Sequence, residues 1–274
     1  MNSPTAEIGQ MDSHRLEWLQ ERMRLGTDMS VIVEWLRERG YTDRAILAGF
    51  EAVRPRGDAI EQGFLKPPLI QRAPPNLHKV DTDKVDLYLL ENFLSEKECA
   101  KLTGLAAHHL RPSTLAYVIK DEDFRTSTTA DLCHLKSPVA VNIDEKICRT
   151  LGIRPEYAEG IQAQRYDVGQ QFKAHYDYFE PNTKVYQKFA GVRGNRTWTF
   201  MVYLNEGMEG GATRFSEINY AVQPKVGRAV IWSNLRADGS PNEFTQHAGE
   251  PVTKGHKVII TKWFRRYGDG PLFY

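Results

Sequence analysis

Residues 11–53 carry apolar side chains at the three- and four-residue spacing of amphipathic helices. In the first two runs these positions are Leu16, Leu19, Met23, Val31, Ile32, Trp35 and Leu36. Gly26 and Gly40 interrupt the pattern. Candidate N-cap residues follow the two glycines: Thr27, Asp28, Thr42 and Asp43. The pattern therefore predicts three short helices of roughly ten to fourteen residues, each burying one face.

A proline-rich segment follows the helical region. Residues 64–78 read FLKPPLIQRAPPNLH and show no apolar periodicity. Because proline fixes φ and lacks a backbone donor, we interpret the segment as an extended linker. We accordingly divide the chain into an N-terminal helical region at 1–63, a linker at 64–84 and a main domain at 85–274.

The first part of the main domain mixes strand and helix signals. The run VDLYLLENFL predicts a strand. Ser95 and Glu98 have the spacing of a capping box, which predicts a helix that continues to Leu105. A second helix is expected over residues 137–151.

From Gly160 onward the pattern becomes that of strands, with β-branched and aromatic residues between Gly, Asn and Pro. About seven runs have this character: IQAQRYDV, FKAHYDYF, RTWTFMVYL, ATRFSEI, YAVQPKVGRAVIWSN, TQHAGEPV and KVIITKWFR. No helical run is long enough for parallel crossovers, so an antiparallel sandwich or barrel is expected. The fold class is therefore mainly β with flanking helices, an α+β domain.

Composition and charge exclude several classes of partner. The 274 residues are 41% hydrophobic and 26% charged, which is typical of a globular chain. With 36 basic and 35 acidic side chains, no net field favours nucleic acid or an anionic membrane. We therefore expect neither of these as a partner.

The cysteines and the N-terminal sequence bear on the compartment. Cys99, Cys133 and Cys148 are odd in number and form no CxxC, so we interpret them as buried small apolar groups without disulfides or zinc. The first residues lack a basic stretch followed by an apolar run, and eighteen uninterrupted apolar residues occur nowhere. We expect a cytoplasmic protein.

The stretch KAHYDYFE carries candidate metal ligands. In a strand His175 and Asp177 would share one face, with Tyr176 on the other. A wetted strand face would explain the pair equally well, but His247 supplies a third candidate. Two histidines and one carboxylate form the facial triad that suits a non-haem Fe(II) with open positions. A zinc hydrolase would use the same donors, but its HExxH signature is absent from the sequence.

Lys257, ten residues beyond His247, adds a charge that needs an explanation. Alternation along KVIITKWFR places Lys257, Ile259, Thr261 and Trp263 on one face of an apolar strand. An unpaired ammonium in the interior is costly, so the lysine predicts a bound anion. A dicarboxylic cosubstrate would supply it.

These residues lie in segments that resemble the catalytic domain of prolyl 4-hydroxylases. The segments are RTSTTADL, IQAQRYDVGQQFKAHYDYF, GNRTWTFMVYLNEGMEGGATRF, VQPKVGRAVIWSNLRADGSPN and HAGEPVTKGHKVIITKWF. Members of that family are Fe(II)- and 2-oxoglutarate-dependent dioxygenases built on a double-stranded β-helix, or jelly roll. The likeness runs from about residue 85 to residue 264 and does not include the N-terminal helices.

The resemblance implies a role for each matching residue. It assigns Fe(II) to the triad His175, Asp177 and His247. It assigns the distal carboxylate of 2-oxoglutarate to Lys257, Tyr166 and Thr213. O2 is the remaining cosubstrate, and ascorbate is a candidate reductant.

The resemblance also indicates a substrate side. Arg196 and Trp263 match residues that line it, although Arg196 could equally be a salt-bridged strand residue. Tyr178, the residue after Asp177, is a further candidate. In related peptidyl enzymes a tyrosine often stands three residues before the first histidine, where this chain has Phe172.

Three hypotheses follow. The first is hydroxylation of a prolyl residue in a peptide or protein, and the second is the same chemistry on a free amino acid or other small metabolite. The third is a non-catalytic binding module with a structural metal site. The N-terminal helices could pack on the β domain, mediate homodimerisation or capture substrate, and the sequence leaves these open.

Overall fold

The protein is described by a computed structural model. It covers residues 8–24, 29–53, 64, 66–115, 121–268 and 272–274.

Three helices lie in the described part of the N-terminal region: α1 (Ser13–Arg24), α2 (Met29–Glu38) and α3 (Asp43–Val53). The predicted three helices are confirmed. The Thr42 hydroxyl accepts a hydrogen bond from Ala45 N at 3.2 Å and so caps α3, as expected. The apolar faces of the three helices meet in one cluster, whose buried members are Met11, Leu19, Ile32, Leu36, Ile46 and Phe50. The candidate caps of the second helix, Thr27 and Asp28, lie outside the described residues.

The described part of the predicted linker is packed rather than extended. Pro68–Gln71 (α4) forms one helical turn, and Leu77–Lys79 (β1) pairs with Leu87–Leu90 (β2). Proline is tolerated at the start of a helical turn, because its missing N–H would have no intrahelical partner there. Buried Leu69 and Leu77 hold the segment on the β domain. The extended interpretation is therefore wrong for these residues, whereas the boundaries after residues 63 and 84 stay predictions.

The remaining strands build two facing sheets. They are β3 (Arg111–Pro112), β4 (Thr128–Asp131), β5 (Gln162–Tyr166), β6 (Phe172–His175), β7 (Arg196–Tyr203), β8 (Glu209–Gly210), β9 (Thr213–Phe215), β10 (Tyr220–Val222), β11 (Ala229–Ser233), β12 (His247–Gly249), β13 (Val252–Lys254) and β14 (Lys257–Arg265). The larger sheet has the order β1-β2-β11-β7-β14-β5-β4-β3, and the smaller has the order β10-β9-β12-β6. A short β8–β13 pair completes the set in the described part of the chain.

The two sheets enclose an apolar core. Tyr203, Val230 and Ile259 of the large sheet meet Phe215 and Val222 of the small one. All ladders between the described strands are antiparallel. The predicted fold, mainly β with flanking helices and two facing sheets as in a jelly roll, is confirmed.

Two helices cover the outer face of the large sheet. In α5 (Glu96–Ala107) the predicted capping box is present, with Glu98 Oε2 accepting from Ser95 N at 2.8 Å. The helix α6 (Pro138–Leu151) lies in the second predicted segment. Both helices share an apolar core with β14. This core includes Leu102 and Ala106 of α5, Ile143 and Ile147 of α6, and Val258, Ile260 and Phe264 of β14.

The observed elements differ from the predicted runs in several places, of which three affect the site. YAVQPKVGRAVIWSN folds as two strands, β10 and β11, with a turn between them. The strand predicted over FKAHYDYF ends at His175. A six-residue helix, α7 (Lys184–Phe189), was not predicted, because it is too short to show an apolar period.

The cysteines are free, and two of them are buried as expected. Cys99 and Cys148 lie in the core between helices and sheet. Cys133 is exposed, so the prediction of burial is wrong there, because it lies in a 3-10 turn after β4. Among the described residues, no helix combines the length and apolar character needed to cross a bilayer.

Gly227, in the turn before β11, packs closely against the backbone of Leu94. Its φ is +74°, and a Cβ there would lie 2.0 Å from Leu94 O. Leu94 N in turn donates to Gly227 O at 3.2 Å, so neither backbone segment can move away alone.

We expect Gly227→Ala to lower the free energy of unfolding by roughly 3–5 kcal/mol, because the new methyl group overlaps a backbone oxygen. Gly239 is a matched control, since its φ is +79° and the nearest atom to an added Cβ is 3.7 Å away on Arg266. Gly239→Ala should cost only the strain of positive φ, about 1–2 kcal/mol. Urea denaturation measures both variants, and equal losses would contradict the clash.

Candidate metal centre and its cavity

Antiparallel pairing of β6 and β12 brings the two candidate histidines together. His247 lies directly opposite His175, and their ring centroids are 4.3 Å apart. Asp177 follows β6 closely, with Oδ1 3.8 Å from His175 Nε2 and Oδ2 3.9 Å from His247 Nε2. All three donor atoms lie within 4.8 Å of one another. This spacing suits a single ion bound by all three side chains.

Simple strand alternation does not produce this arrangement. Because β6 ends at His175, the chain bends before Asp177. Tyr176 was expected on the face opposite His175 and Asp177, but it lines the same cavity as they do. The expected face of Tyr176 is therefore wrong, because a bent segment does not alternate.

Hydrogen bonds fix which nitrogen of each ring faces the centre. His175 Nδ1 lies 2.8 Å from Lys173 O, and His247 Nδ1 lies 2.9 Å from Thr245 O. A carbonyl oxygen can only accept, so each Nδ1 carries the proton. Each Nε2 then presents its lone pair toward Asp177.

The Asp177 carboxylate is held by a buried chain of donors that the sequence interpretation missed. Thr199 Oγ1 donates to Asp177 Oδ2 at 2.7 Å, and Asn234 Nδ2 donates to Thr199 Oγ1 at 2.9 Å. Thr199 and Asn234 are both fully buried. Such contacts orient a metal ligand and leave its other oxygen available.

The protonation states fit a metal ligand set. Burial, reinforced by the neighbouring His247, lowers the pKa of His175 to about 3. Burial by itself would raise the pKa of Asp177, but the two imidazoles and Arg196 outweigh it and lower that pKa. At neutral pH the imidazole of His175 is therefore neutral and Asp177 is ionised, as metal ligation requires. The donor set fits Fe(II) with open positions.

The three side chains line one cavity of about 410 Å³, and β14 runs along its wall. The buried Lys257 marks what we call its inner end. Lys257, Ile259, Thr261 and Trp263 all line it, which confirms their predicted common face. Lys257 is 1% exposed, and its Nζ donates to Gly211 O at 2.9 Å.

Burial lowers the pKa of Lys257 to about 7, although Glu250 partly opposes the shift. No carboxylate of the described residues is at salt-bridge distance from Nζ. A Cβ added to Gly249 would lie only 3.3 Å from Nζ, so this glycine leaves space in front of the ammonium. The space and the charge together suit an anion, as the sequence predicted.

The two predicted companions of Lys257 lie in the same cavity. Tyr166 faces Lys257 across the β5–β14 pair, and Nζ is 4.2 Å from its ring centroid. Thr213 also lines the cavity, and its Oγ1 accepts from Tyr203 OH at 2.6 Å. Both side chains therefore border the inner end, and the roles that the resemblance implies for their hydroxyls stay predictions.

The predicted substrate-side residues Arg196, Trp263, Tyr178 and Phe172 also line the cavity. Trp263, six residues from Lys257 along β14, marks its outer end, whereas Phe172 lies nearer the ammonium, beside Gly249. Arg196 makes a bidentate pair with Glu159, at 2.7 and 2.8 Å, and its guanidinium lies 3.9 Å over the Trp263 ring. Both interpretations of Arg196 thus apply, since it is salt-bridged and borders the cavity. Tyr178 is 9% exposed there. Phe172 stacks on the His175 ring at 3.5 Å.

Arg125 and Glu159 are cavity residues to which the sequence interpretation gave no role. Arg125 donates to Thr114 O at 3.1 Å, and its guanidinium lies 4.7 Å from the Phe172 ring. Burial lowers its pKa, and no carboxylate of the described residues is at salt-bridge distance from it. Arg125 begins the quoted RTST segment, which was the available signal. Glu159 lies before β5, in a segment without strand alternation.

We expect Thr199→Val to weaken divalent metal binding roughly ten- to a hundredfold, because Asp177 loses the donor that orients it. Thr199→Ser keeps the hydroxyl and should bind metal within about threefold of wild type. Titration calorimetry with Co(II) measures the affinity, and thermal unfolding checks that both variants fold. Wild-type affinity in the valine variant would contradict the role of this hydrogen bond.

Similarity to known proteins covers the segment that carries this site. A sequence model of the 2OG-Fe(II) oxygenase superfamily matches residues 161–265. Prolyl 4-hydroxylase 2 of Arabidopsis thaliana is 30% identical over 214 residues, which are 69% of this chain and 70% of that protein.

Animal and viral relatives extend the similarity. Prolyl 4-hydroxylase subunit alpha-3 of Rattus norvegicus is 35% identical over 186 residues, 66% of this chain and 34% of that subunit. The chain thus spans about a third of the length of the alpha subunits it matches. The crystal structure of the viral collagen prolyl hydroxylase from Paramecium Bursaria Chlorella virus-1, as a 2OG complex, superposes with a TM-score of 0.52. That protein is 27% identical, with coverage of 65% of this chain and 94% of its own. The chain belongs to the prolyl 4-hydroxylase-like family of Fe(II)- and 2-oxoglutarate-dependent dioxygenases.

Proposed function

We propose that the chain is an Fe(II)- and 2-oxoglutarate-dependent hydroxylase that acts on a prolyl residue in a peptide or protein. The observation that carries this proposal is the single cavity that joins the triad His175, Asp177 and His247 to the buried Lys257. A structural metal site alone would not need a buried ammonium beside it. The third hypothesis, a non-catalytic module, is disfavoured for that reason.

Two groups of residues would have separate binding roles. His175, Asp177 and His247 would hold Fe(II), and Lys257 with Tyr166 and Thr213 would hold the distal carboxylate of 2-oxoglutarate. When these groups are bound with O2, they supply the oxidation that converts a C–H bond to C–OH and 2-oxoglutarate to succinate and CO2.

The protein contributes orientation and exclusion of water. Thr199 fixes the Asp177 carboxylate through its 2.7 Å hydrogen bond. Phe172 packs flat on His175 and covers one face of that ring. The inner end of the cavity is buried, so its ammonium acts in a medium where charge interactions are strong.

The outer end supports a prolyl substrate. Trp263, Tyr178 and Phe179 give it an aromatic wall on which a pyrrolidine ring can pack. Arg196 forms a bidentate pair with Glu159, at 2.7 and 2.8 Å, so its charge does not call for a charged substrate. Arg265 lies 3.1 Å from the same carboxylate. Two of the relatives described above are a prolyl 4-hydroxylase and a collagen prolyl hydroxylase, which supports a peptidyl target.

One observation favours the alternative, a free amino acid or other small acid. Arg125 borders the cavity and is not matched by a carboxylate among the described residues. A substrate carboxylate could pair with it. The substitution of Phe172 for the tyrosine of related peptidyl enzymes points the same way.

Two further features are part of the proposal. Ascorbate would act as the reductant that maintains Fe(II). A cytoplasmic location is supported by the three free thiols, which suit a reducing compartment.

With Fe(II) and 2-oxoglutarate, proline-rich peptides should stimulate succinate release by the wild-type chain, and the peptide should gain one oxygen atom. His175→Ala should abolish both effects and weaken metal binding, because one of three ligands is removed. Succinate assay with mass spectrometry of the peptide measures the outcome. Stimulation by free proline or related acids alone would select the metabolite alternative, and failure to bind Fe(II) or 2-oxoglutarate would remove the enzyme hypothesis.

The affinity for 2-oxoglutarate should fall as pH rises above 7. Burial lowers the pKa of Lys257 to about 7, so its cationic form predominates below that pH and is progressively lost above it. The dissociation constant should therefore increase about tenfold per pH unit between 7.5 and 9. Lys257→Arg stays charged over this range and should lose the pH dependence. Calorimetry with the metal-loaded protein tests this, and an identical pH slope in the arginine variant would contradict it.

A further inference from the structure

The N-terminal helices touch the β domain beside the active-site cavity. Val192, in the loop after α7, packs against the cluster formed by α1, α2 and α3. A Cβ added to Gly191 would lie 2.6 Å from Leu47 Cδ2, so the side chain of α3 reaches the backbone of this loop. The superfamily match at residues 161–265 includes the loop but not the helices.

This loop continues directly from a wall of the cavity. Phe189, the last residue of α7, lines the outer end of the cavity and stacks on Phe179 at 5.8 Å and 15°. Phe179 lines the cavity as well. A shift of α7 would therefore change the shape of the proposed substrate side.

The helix α7 needs contacts from outside itself. It has six residues, and an isolated helix of that length is unstable in water because nucleation is costly. Thr183 caps its first turn, with Tyr186 N donating to Thr183 Oγ1 at 3.0 Å, but a cap offsets only part of that cost. Packing from neighbouring elements must supply the rest.

That packing comes from two sides. On the barrel side, Arg265 donates to Phe189 O and, at 3.0 Å, to Gly194 O. Arg265 also lies 3.1 Å from the Glu159 carboxylate that holds Arg196. On the other side, Leu47 of α3 packs against the backbone of Gly191, and Val192 packs on the cluster of the three N-terminal helices. The segment 184–194 is therefore clamped between β14 and α3.

We propose that the N-terminal helices form a positioning element of the substrate side, in which Leu47 holds α7 against the cavity. The part of this proposal that concerns substrate binding rests on the proposed function. The clamp acts on Phe189 and the outer end, whereas His175, His247 and Lys257 lie on strands of the sandwich and Asp177 is held by Thr199 of β7. Leu47 is thus a positioning residue whose loss should affect substrate binding and leave metal and 2-oxoglutarate binding intact.

The test uses the full chain with Leu47→Ala, which removes the contact with the loop. Suppose that α7 keeps its position against the cavity in only roughly a tenth of the variant molecules. The KM for a proline-rich peptide then rises about tenfold, whereas the KM for 2-oxoglutarate stays within about twofold of the wild-type value. Amide hydrogen exchange over residues 184–194 should become faster. Leu47→Met retains a long apolar side chain and should restore both readouts.

Val33→Ala is the matched control, since Val33 packs on the same helical cluster and so probes loss of bundle packing alone. It should leave the peptide KM and the exchange of 184–194 unchanged. Gly191→Ala approaches the contact from the other side, because its methyl group would also meet Gln187 O at 2.6 Å. It should reproduce the effect of Leu47→Ala.

Two outcomes overturn the proposal. One is unchanged exchange over 184–194 in Leu47→Ala, and the other is an equal rise of peptide KM in Val33→Ala. If no peptide is turned over by the wild type, the proposed function fails. The exchange experiment, with metal and 2-oxoglutarate affinities, then still decides whether α3 holds α7.

Discussion

The pairing of β6 with β12 is the interaction on which the site depends. It sets His175 opposite His247 across a ladder, so the separation of the two imidazoles is a property of the sheet. Asp177 reaches the same point because the chain bends immediately after β6. The facing sheet supplies Thr199, whose hydroxyl holds the carboxylate. A change that slipped this register by one residue would turn one imidazole away from the other.

Buried charge is the second constraint, and it links stability to ligand binding. Asp177, Glu159 and Lys257 all lie in or beside the apolar sandwich, where an uncompensated ion is costly. Glu159 is matched by Arg196 and Arg265, and Asp177 by its neighbours. Lys257 has a carbonyl oxygen but no carboxylate at salt-bridge distance among the described residues. An anion bound beside Lys257 would balance its positive charge.

The sequence predicted those features that have a local period or a fixed spacing. The three N-terminal helices, the capping box at Ser95 and the common face of β14 follow from such patterns. The Leu47 contact, the Glu159 network and the loss of alternation at Tyr176 do not, because they arise from contacts between distant segments or from a bend. The prolines before β1 predicted an extended linker, but the segment packs on the β domain because Leu69 is buried there. Such a contact between distant segments is not visible in the local sequence.

The shape of the cavity has a kinetic consequence. Lys257 at its inner end is 1% exposed, whereas two other lining residues reach solvent, since Thr114 is exposed and Phe189 is partly exposed. A molecule seated against Phe189 would obstruct the route to the ammonium. Occupancy should therefore be sequential, with the deep anion arriving first and leaving last, and a surplus of the second reactant would slow turnover by trapping a dead-end complex.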